Sequence, residues 1–488
     1  MIFSSLNYLF FLPIVFAAYW LTSGTLRRVI LLVASYIFYM SWLPSYGLLL
    51  FFLTAANYLL GLAIEKYRNK KSLLILSIAV NLGCLAFFKY ANFLCQSLFE
   101  FLKATHGIFG LLQTPSASPL LDIVLPLGIS FFAFEFIHYT VDVHAGGKAI
   151  KSPIDFALFA AFFPSQISGP IKRYQQFDEQ LNAPKKLSQE DLLEGLGMIL
   201  RGLFKKVALA DNLAAITYVG VNQVGQLGTV DSWVLMFAFL LQVYFDFSGY
   251  TDMGIGSARL LGFHLPNNFD LPYIASKNLI DFWQRWHITL TTWLRDYVQT
   301  PLTGFRASRL RFNIATLVTM TLCGLWHGAA WHFVAWGFVH GVLLVLTREY
   351  LQIVKGSQGL KKLHSKKWMM PVACLSTFIT IHFTQSLFLA KTTADALTIM
   401  KSMVCPSSST LGLAESFWYS PALSGLILYS LWGLSFVEIP WLPLKKIRFV
   451  RSFLTASPAR QYALYFCVFA AAIAFCPAYP SPFIYFQF

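Results

Sequence analysis

Two neighbouring segments decide the fold: residues 280–299 read IDFWQRWHITLTTWLRDYVQ, and residues 313–341 read NIATLVTMTLCGLWHGAAWHFVAWGFVHG. His287 in the first segment and His327 in the second each follow a tryptophan, within sequence that is otherwise apolar enough for lipid. An ionisable side chain is costly inside a membrane, and where it is retained it usually has a function. The hypothesis is that the two imidazoles face each other across a buried passage.

The composition of the whole chain indicates a membrane protein. Of its 488 residues, 57% are hydrophobic and only 12% are charged, whereas a soluble domain carries about 25% charged residues. Successive apolar runs predict an all-α polytopic protein with about 11–13 membrane crossings. The amino terminus has neither a basic region nor a small-residue cleavage site, so we expect it to stay as the first crossing. No repeat divides the chain, so residues 1–488 are expected to form a single domain.

The net charge of +15 comes from lysines and arginines that cluster in short loops, at 27–28, 66–71, 355–367 and 445–451. Such clusters are typical of the cytoplasmic side of a membrane protein. They therefore predict that both chain termini lie outside. Because loop topology accounts for the basic charge, and no basic stripe carries an aromatic platform, nucleic-acid binding is not expected.

Two segments do not read as clean crossings. Residues 153–177 are apolar but interrupted by Pro164, Gly169 and Pro170, which predicts a re-entrant segment wrapped in protein. Residues 96–114 are amphipathic, which predicts an interfacial helix. Glu135 and its polar neighbours near the end of the fifth apolar run are expected to mark the membrane interface.

Helical periodicity places the two histidines differently. Read as one helix, Asp281–Gln299 carries its polar residues on one stripe and His287 on the opposite, apolar side. His327 lies in a turn-like stretch before Gly328. The next helix places His332, Trp336 and His340 on one face, at positions i, i+4 and i+8. Hydrogen-bonded packing remains an alternative role for each of these four histidines.

A metal site is not expected. The spacing of His327 and His332 is not that of an HExxH motif, and no carboxylate lies between them. The seven cysteines are odd in number and form no CxxC pair, so neither a zinc site nor a disulfide framework is indicated.

Acyl transfer is a chemistry that two such histidines can perform. Moving an acyl group from a thioester to an alcohol requires removal of the hydroxyl proton, which a neutral imidazole accepts near pH 7. A second imidazole can orient the first, relay the proton or stabilise the oxyanion. The chain has no GxSxG motif, so a serine acyl-enzyme of the hydrolase type is not supported.

Several segments, in this order, resemble one known family. They are MIFSSLNYLFFLPIVF (1–16), LPLGISFFAFEFIHYTVDV (125–143), FFPSQISGPIKRYQQF (162–177), LRGLFKKVALADNLA (200–214), YFDFSGYTDMGIGSARLLGF (244–263), DFWQRWHITLTTWLRDYVQTPL (281–302), LWHGAAWHFVAWGFVHG (325–341) and the terminal FIYFQF. The chain resembles the membrane-bound O-acyltransferase (MBOAT) family, in its bacterial alginate O-acetyltransferase (AlgI) branch. The branch that transfers D-alanine towards teichoic acid is similar at RWH and WHG.

The resemblance implies a ring of helices around a thin centre pierced by a tunnel. It implies that His327 is catalytic and that His287 is the second histidine of the tunnel. Neighbouring residues in these motifs are expected to contact substrate, namely Trp286, Arg285, Asp296, Trp326 and Gly328. After the apolar run Met370–Leu389, where the family would have an aromatic–arginine pair, this chain has Lys391 as the nearest basic residue.

The function implied is transfer of an acetyl group across a bacterial cytoplasmic membrane for O-acetylation of an exported, alginate-like polysaccharide. The donor would be acetyl-CoA or an acyl-carrier thioester, with no bound cofactor. The expected partners are membrane lipid, the cytoplasmic donor, an extracytoplasmic acetyl-transfer protein and the polysaccharide. Alternatives are acetylation of peptidoglycan or another cell-wall glycan and, in a different class, a transporter or a non-catalytic export scaffold.

Overall fold

The computed structural model describes residues 1–109, 120–270, 273–304, 306–408, 410–433 and 457–484. Within these ranges the chain consists of helices and connecting loops, without a β-strand. Five of the helices are long and apolar enough to cross a membrane: Ser45–Lys66, Lys71–Thr105, Thr229–Leu260, Trp331–Gly356 and Met369–Leu389. The predicted all-α polytopic class is confirmed, while the count of 11–13 crossings stays a prediction. The third basic loop, at 445–451, lies outside the described residues.

Residues 10–185, together with Met1, form one of two compact units. Its helices are Leu6–Trp20 (from residue 10 onward), Gly24–Met40, Ser45–Lys66, Lys71–Leu85, Ala91–Phe109, Ile129–His144, Pro153–Ala161, Phe163–Gln166 and Tyr174–Asn182. The predicted interruption of residues 153–177 is present, because the chain leaves the helix at Phe162 and bends again after Gln166. Its re-entrant depth in the membrane stays a prediction.

Two predictions for this unit were wrong. Residues 96–109 are not a separate helix, because the helix that starts at Lys71 continues through a π-helical turn at Ala86–Tyr90 to Phe109. No glycine or proline interrupts residues 84–105 to end it. Residues 110–114 of that predicted segment lie outside the described residues, and its interfacial position stays a prediction. Glu135 does not mark an interface, since its carboxylate is buried and lies 2.7 Å from the buried ammonium of Lys172. The attraction between the two charges offsets part of the free energy that is lost when each is removed from water.

The described residues among 2–9 and 186–488 form the other compact unit. Its longer helices are Gln189–Phe204, Asp211–Asn222, Thr229–Leu260, Arg309–His327, Trp331–Gly356, Met369–Thr384, Thr393–Val404, Pro421–Gly433 and Pro458–Ala474. Shorter helices are Leu279–Arg285, Ile288–Leu294, Thr300–Thr303, Gln358–His364, Ser386–Leu389 and Leu413–Trp418, and π-helical turns occupy Lys205–Ala210 and Arg295–Gln299. The Tyr8 hydroxyl donates to Ser257 Oγ at 2.6 Å, which ties the amino-terminal residues to the helix Thr229–Leu260.

The prediction of one continuous helix over Asp281–Gln299 was wrong. A helix ends at Arg285, and a new one begins at Ile288. His287 between them has φ 46°, in the left-handed region that a non-glycine residue enters only at a cost. His287 therefore lies in a turn between two helices, and not on the apolar face of a single helix as the periodicity had predicted.

The helices Arg309–His327 and Trp331–Gly356 pack closely at a pair of glycines. A Cβ atom on Gly324 would lie 2.2 Å from the carbonyl oxygen of Phe333, and one on Gly337 would lie 2.3 Å from that of Met320. Small residues at a helix crossing let the backbones approach in membrane proteins. This approach brings His327, at the end of the first helix, against the side chains of the second.

Candidate active site

His287 is held in its turn by an asparagine from a loop earlier in the chain. The Asn268 carbonyl oxygen accepts from Ile288 N at 2.9 Å, and its side-chain oxygen accepts from the Thr289 hydroxyl at 2.6 Å. The imidazole is 1% exposed, and its ring centre lies 4.6 Å from that of Phe247. The two hydrogen bonds and the ring contact together fix the direction in which the imidazole points.

His327 ends its helix in a pocket of aromatic rings. Its ring centre lies 4.8 Å from the indole of Trp326, 5.3 Å from that of Trp336 and 5.1 Å from the ring of Phe388. The residue is 6% exposed. His327 is the last residue of its helix and does not lie in the turn as predicted. The predicted break at Gly328 is confirmed, because Gly328 is extended and the next helix starts at Trp331.

Trp326 joins the two histidines. Its indole lies 6.0 Å from the ring of His287, ring centre to ring centre, and 4.8 Å from the ring of His327. The two imidazoles are therefore one indole apart in the interior of this unit. We call His287, Trp326, His327, Trp336 and Phe388 the ring cluster.

The other two histidines of this region make hydrogen bonds that fit a packing role. The Nδ1 of His332 donates to the carbonyl of Leu387 at 2.9 Å, and the Nε2 of His340 is hydrogen-bonded to the hydroxyl of Thr384 at 3.0 Å. His340 also lies 4.7 Å from Trp336, ring centre to ring centre. Both residues thereby connect the helix Trp331–Gly356 to residues 384–387.

A cavity of about 1180 Å³ opens beside the ring cluster. Gly328, His332 and Phe388 line it on the side of the cluster, and Lys391 and Tyr218 line it elsewhere. We call it the Lys391 cavity. Because Phe388 contacts His327 and also lines the cavity, a small acyl group in the cavity would be one side chain from the imidazole.

A buried charge cluster supports one wall of this cavity. The Lys206 ammonium lies 2.8 Å from the carboxylate of Asp211 and 3.0 Å from that of Asp246. Asp246 also accepts from Ile484 N at 2.7 Å, and Asp211 accepts from the Ser481 hydroxyl at 2.7 Å. Since Asp211, Ser481 and Ile484 line the cavity, these bonds hold the segment 481–484 in its wall.

A second cavity, of about 440 Å³, is lined by a different set of residues. Trp283, Ile288 and Cys323 line it close to the histidines, and Arg295 and Arg348 add two guanidinium groups. We call it the Arg348 cavity. It shares no lining residue with the Lys391 cavity among the residues that the structure describes.

The residues predicted to contact substrate divide into two groups. Trp326 belongs to the ring cluster and Gly328 lines the Lys391 cavity, so both accompany the histidines. The others lie apart: Arg285 pairs with Asp281 at 2.8 Å, Asp296 pairs with its neighbour Arg295 at 2.9 Å, and Trp286 packs among aromatic rings. Their contact with substrate stays a prediction.

Burial keeps one imidazole uncharged. It lowers the pKa of His287 to about 3, since a charged ring would lose its hydration there. His287 is therefore neutral at pH 7 and can accept a proton only when a developing positive charge is compensated within the site.

Sequence reasoning missed two residues that shape the site. Asn268 lies 19 positions before His287, within NNFD, which reads as an ordinary polar loop. Phe388 lies 61 positions after His327, in an apolar run where nothing distinguishes it from neighbouring leucines. Neither residue carried a sequence signal, because Asn268 acts on a turn 19 positions later and Phe388 on a histidine 61 positions earlier.

Comparison with known proteins identifies the class. Residues 71–390 match the model of MBOAT, the membrane-bound O-acyltransferase family. This match covers more than half of the chain and includes both histidines, and the chain belongs to the membrane-bound O-acyltransferase family. The expected enzyme class, an O-acyltransferase, and the resemblance noted from the motifs are confirmed at the level of the family.

Individual proteins similar to this chain are named as O-acetylases or O-acetyltransferases. The chain is 40% identical over 357 residues to a Pseudomonas aeruginosa protein named "Probable alginate O-acetylase AlgI", which covers 71% of this chain and 66% of that protein. It is 39% identical to the protein of the same name from Pseudomonas putida, covering 71% of each. A Peptidoglycan O-acetyltransferase from Helicobacter pylori is 32% identical over 431 residues, which is 81% of this chain and 78% of that protein.

Proposed function

We propose that this chain transfers an acetyl group from a cytoplasmic thioester to an exported, alginate-like polysaccharide, with His327 and His287 at the reaction centre. The relatives named as alginate O-acetylases support the reaction and the acceptor class. A whole-chain domain, residues 1–488, in a bacterial cytoplasmic membrane with both termini outside belongs to the same proposal.

The main support for this proposal is the order in which the helix Trp331–Gly356 meets the two cavities and the ring cluster. His332 lines the Lys391 cavity, Trp336 belongs to the ring cluster, and Arg348 lines the Arg348 cavity. At 1.5 Å per residue, His332 and Arg348 are about 24 Å apart along the axis, most of the thickness of a membrane core. The basic loop 355–367 follows Arg348, which favours the Arg348 cavity as the cytoplasmic one.

The chemistry follows from this order. A thioester would enter from the Arg348 cavity, where Arg295 and Arg348 suit the phosphates of coenzyme A or of a phosphopantetheine carrier. The acceptor hydroxyl would enter from the Lys391 cavity. His327 takes the hydroxyl proton as the oxygen forms its bond to the acetyl carbon. The carbon–sulfur bond breaks, and the thiolate leaves with that proton.

His287 is assigned a supporting role. Because it is neutral and fixed by Asn268, it can accept or donate one hydrogen bond without bringing a charge into the interior. Such a group stabilises the transition state through its position, since it needs no reorganisation during the reaction. Trp326 between the two rings keeps bulk water from the thioester.

Peptidoglycan acetylation is the second candidate, supported by the Helicobacter pylori relative, which aligns over the larger share of this chain. In either version an extracytoplasmic protein is expected to assist the transfer on the acceptor side. The acceptor separates the two candidates: labelled acetyl groups would appear on alginate in one case and on glycan strands of peptidoglycan in the other.

The proposal is tested with the purified full chain, supplied separately with labelled acetyl-CoA and labelled acetyl-carrier protein, and with alginate oligosaccharide as acceptor. His327→Ala and His287→Ala are compared with His264→Ala, an exposed histidine outside the ring cluster. We expect His327→Ala to lose about 100-fold or more of the transfer rate, the usual contribution of a general base, and His264→Ala to be unchanged. Wild-type rates in both cluster variants would exclude the proposal.

A further inference from the structure

A third cavity, of about 1190 Å³, lies away from the ring cluster. It is bounded by the later part of the helix Trp331–Gly356, by the helix Met369–Thr384 and by residues 277–279. In the described chain it shares no lining residue with the Lys391 or Arg348 cavities, so it is a separate site. We call it the Lys366 pocket.

The rim of the Lys366 pocket is basic. Lys277, Lys366 and Lys367 line it with exposed side chains, and no carboxylate is present among its described lining residues. His364 also lines it, and its Nε2 is hydrogen-bonded to the Tyr350 hydroxyl at 2.8 Å. This bond holds the basic segment against the helix, so the positive charge has a fixed place.

The walls of the pocket are apolar. They are formed by Leu343, Leu346, Leu351, Met369, Met370 and Val372. Leu346 is 58% exposed and Val372 48% exposed, on helices that are long and apolar enough to cross a membrane. An apolar wall that continues to the lipid-facing surface, below a rim of three lysines, matches an amphiphile with an anionic head.

We propose that the Lys366 pocket binds one anionic phospholipid, with the headgroup phosphate at Lys277, Lys366 and Lys367 and an acyl chain along the leucine wall. Basic pockets between membrane helices on the cytoplasmic side bind anionic headgroups. The loop 355–367 is basic, as expected of that side, where anionic lipids meet it. The pocket includes neither His287 nor His327, so this proposal stands or fails independently of the acyl-transfer chemistry.

The test measures lipid retention by native mass spectrometry of the purified full chain in detergent. Phosphatidylglycerol is compared with phosphatidylcholine, and wild type with Lys277→Gln/Lys366→Gln/Lys367→Gln. The matched control is Lys355→Gln/Lys361→Gln/Lys362→Gln, which removes the same number of charges from the loop 355–367 at exposed lysines that do not line the pocket. All six side chains are exposed, so both variants should fold.

We expect wild type to retain one phosphatidylglycerol in preference to phosphatidylcholine. The pocket variant should bind it about tenfold or more weakly, because each lysine near an anionic lipid surface contributes attraction, and the control should remain near wild type. Equal losses in both variants would mean attraction by surface charge alone and would overturn the proposal. Equal retention of both lipids would overturn it too. So would displacement by free glycerol phosphate, which would indicate a phosphate site without a lipid tail.

Discussion

The imidazole of His287 lies against the indole of Trp326, with ring centres 6.0 Å apart and planes inclined by 59°. The same indole contacts His327 at 4.8 Å, so one side chain separates the two residues that the sequence singled out. Two successive segments of the chain thus meet in a single aromatic site, beside which Ile288 lines one cavity and Gly328 the other. The predictions below test this arrangement.

Removing the indole of Trp326 should lower stability and acetyl transfer more than removing an exposed tryptophan. We expect Trp326→Ala to destabilise the protein by about 3–5 kcal/mol, the range for deleting a buried tryptophan, and to abolish most acetyl transfer. Trp326→Phe should keep part of both, since a ring remains between the histidines. Unfolding temperature and transfer rate are measured in parallel.

The control for that experiment is Trp331→Ala, because Trp331 is 59% exposed. It should leave transfer and stability near wild type. If Trp326→Ala behaves like Trp331→Ala, the indole does not organise the site.

The turn that carries His287 should depend on Asn268. Asn268→Ala removes the acceptor of the Thr289 hydroxyl and should cost about 1–3 kcal/mol, as expected for a buried donor left unsatisfied. As a positioning residue it should lower kcat more than it raises KM, and Asn268→Asp should restore part of kcat. The neighbouring Asn267 is exposed, so Asn267→Ala serves as control. Equal effects at both positions would contradict the assignment.

The glycine crossing should tolerate no side chain. Gly324→Ala places a methyl group 2.2 Å from the Phe333 carbonyl, so the two helices must separate and His327 must move away from Trp336. We expect a clear fall in unfolding temperature together with loss of transfer. Gly356→Ala, near the end of one of the same helices and with nothing within 4 Å, should be neutral. Wild-type stability of Gly324→Ala would show that the contact is looser than described.

Acid should destabilise the protein through His287. Its pKa is lowered to about 3 in the folded chain, below the ordinary value of 6.5, so the unfolded chain binds the proton first. Burial of the neutral His287 ring therefore contributes fully to the free energy of unfolding above pH 6.5. This contribution is lost as the pH falls from 6.5 towards 3. Between pH 7.5 and pH 5 this amounts to about 2 kcal/mol. The measurement is unfolding at both pH values, in which His287→Gln should lose less stability than wild type.

The Arg348 cavity should set the affinity for the donor. The Arg348 guanidinium lies 3.7 Å from the ring centre of Phe312, at the wall of the cavity. Arg348→Gln should raise KM for the thioester by about tenfold, the worth of one charged hydrogen bond, with kcat little changed. Arg309→Gln removes a surface charge paired with Glu349 and should leave KM unchanged. An unchanged KM in Arg348→Gln would place the donor elsewhere.

Several features of the fold could be predicted from the sequence because their causes are local. Serine is a preferred residue at the start of a helix, and the hydroxyl of Ser188 accepts from Asp191 N at 2.9 Å at the start of the helix Gln189–Phe204. The spacing of His332, Trp336 and His340 placed them on one face, and all three are buried on the helix Trp331–Gly356. Apolar runs gave the approximate positions of most helices for the same reason.

Other features could not be predicted, because their causes lie far away in the chain. The helix break at His287 depends on hydrogen bonds that Ile288 and Thr289 donate to Asn268, and nothing in RWHIT distinguishes a left-handed histidine from a helical one. Glu135 looked like an interface residue because its partner, Lys172, is 37 positions away. The ring of Phe388 reaches His327 only through the packing of separate helices.

The most direct test of the central claim is vectorial transfer in sealed proteoliposomes. Labelled acetyl-CoA is placed on one side of the membrane and alginate oligosaccharide on the other, with both sidedness arrangements compared. The account predicts that wild type labels the acceptor across the membrane when the donor meets the side of the 355–367 loop, and that His327→Ala does not. Transfer only when donor and acceptor share the same side would contradict a path through the ring cluster.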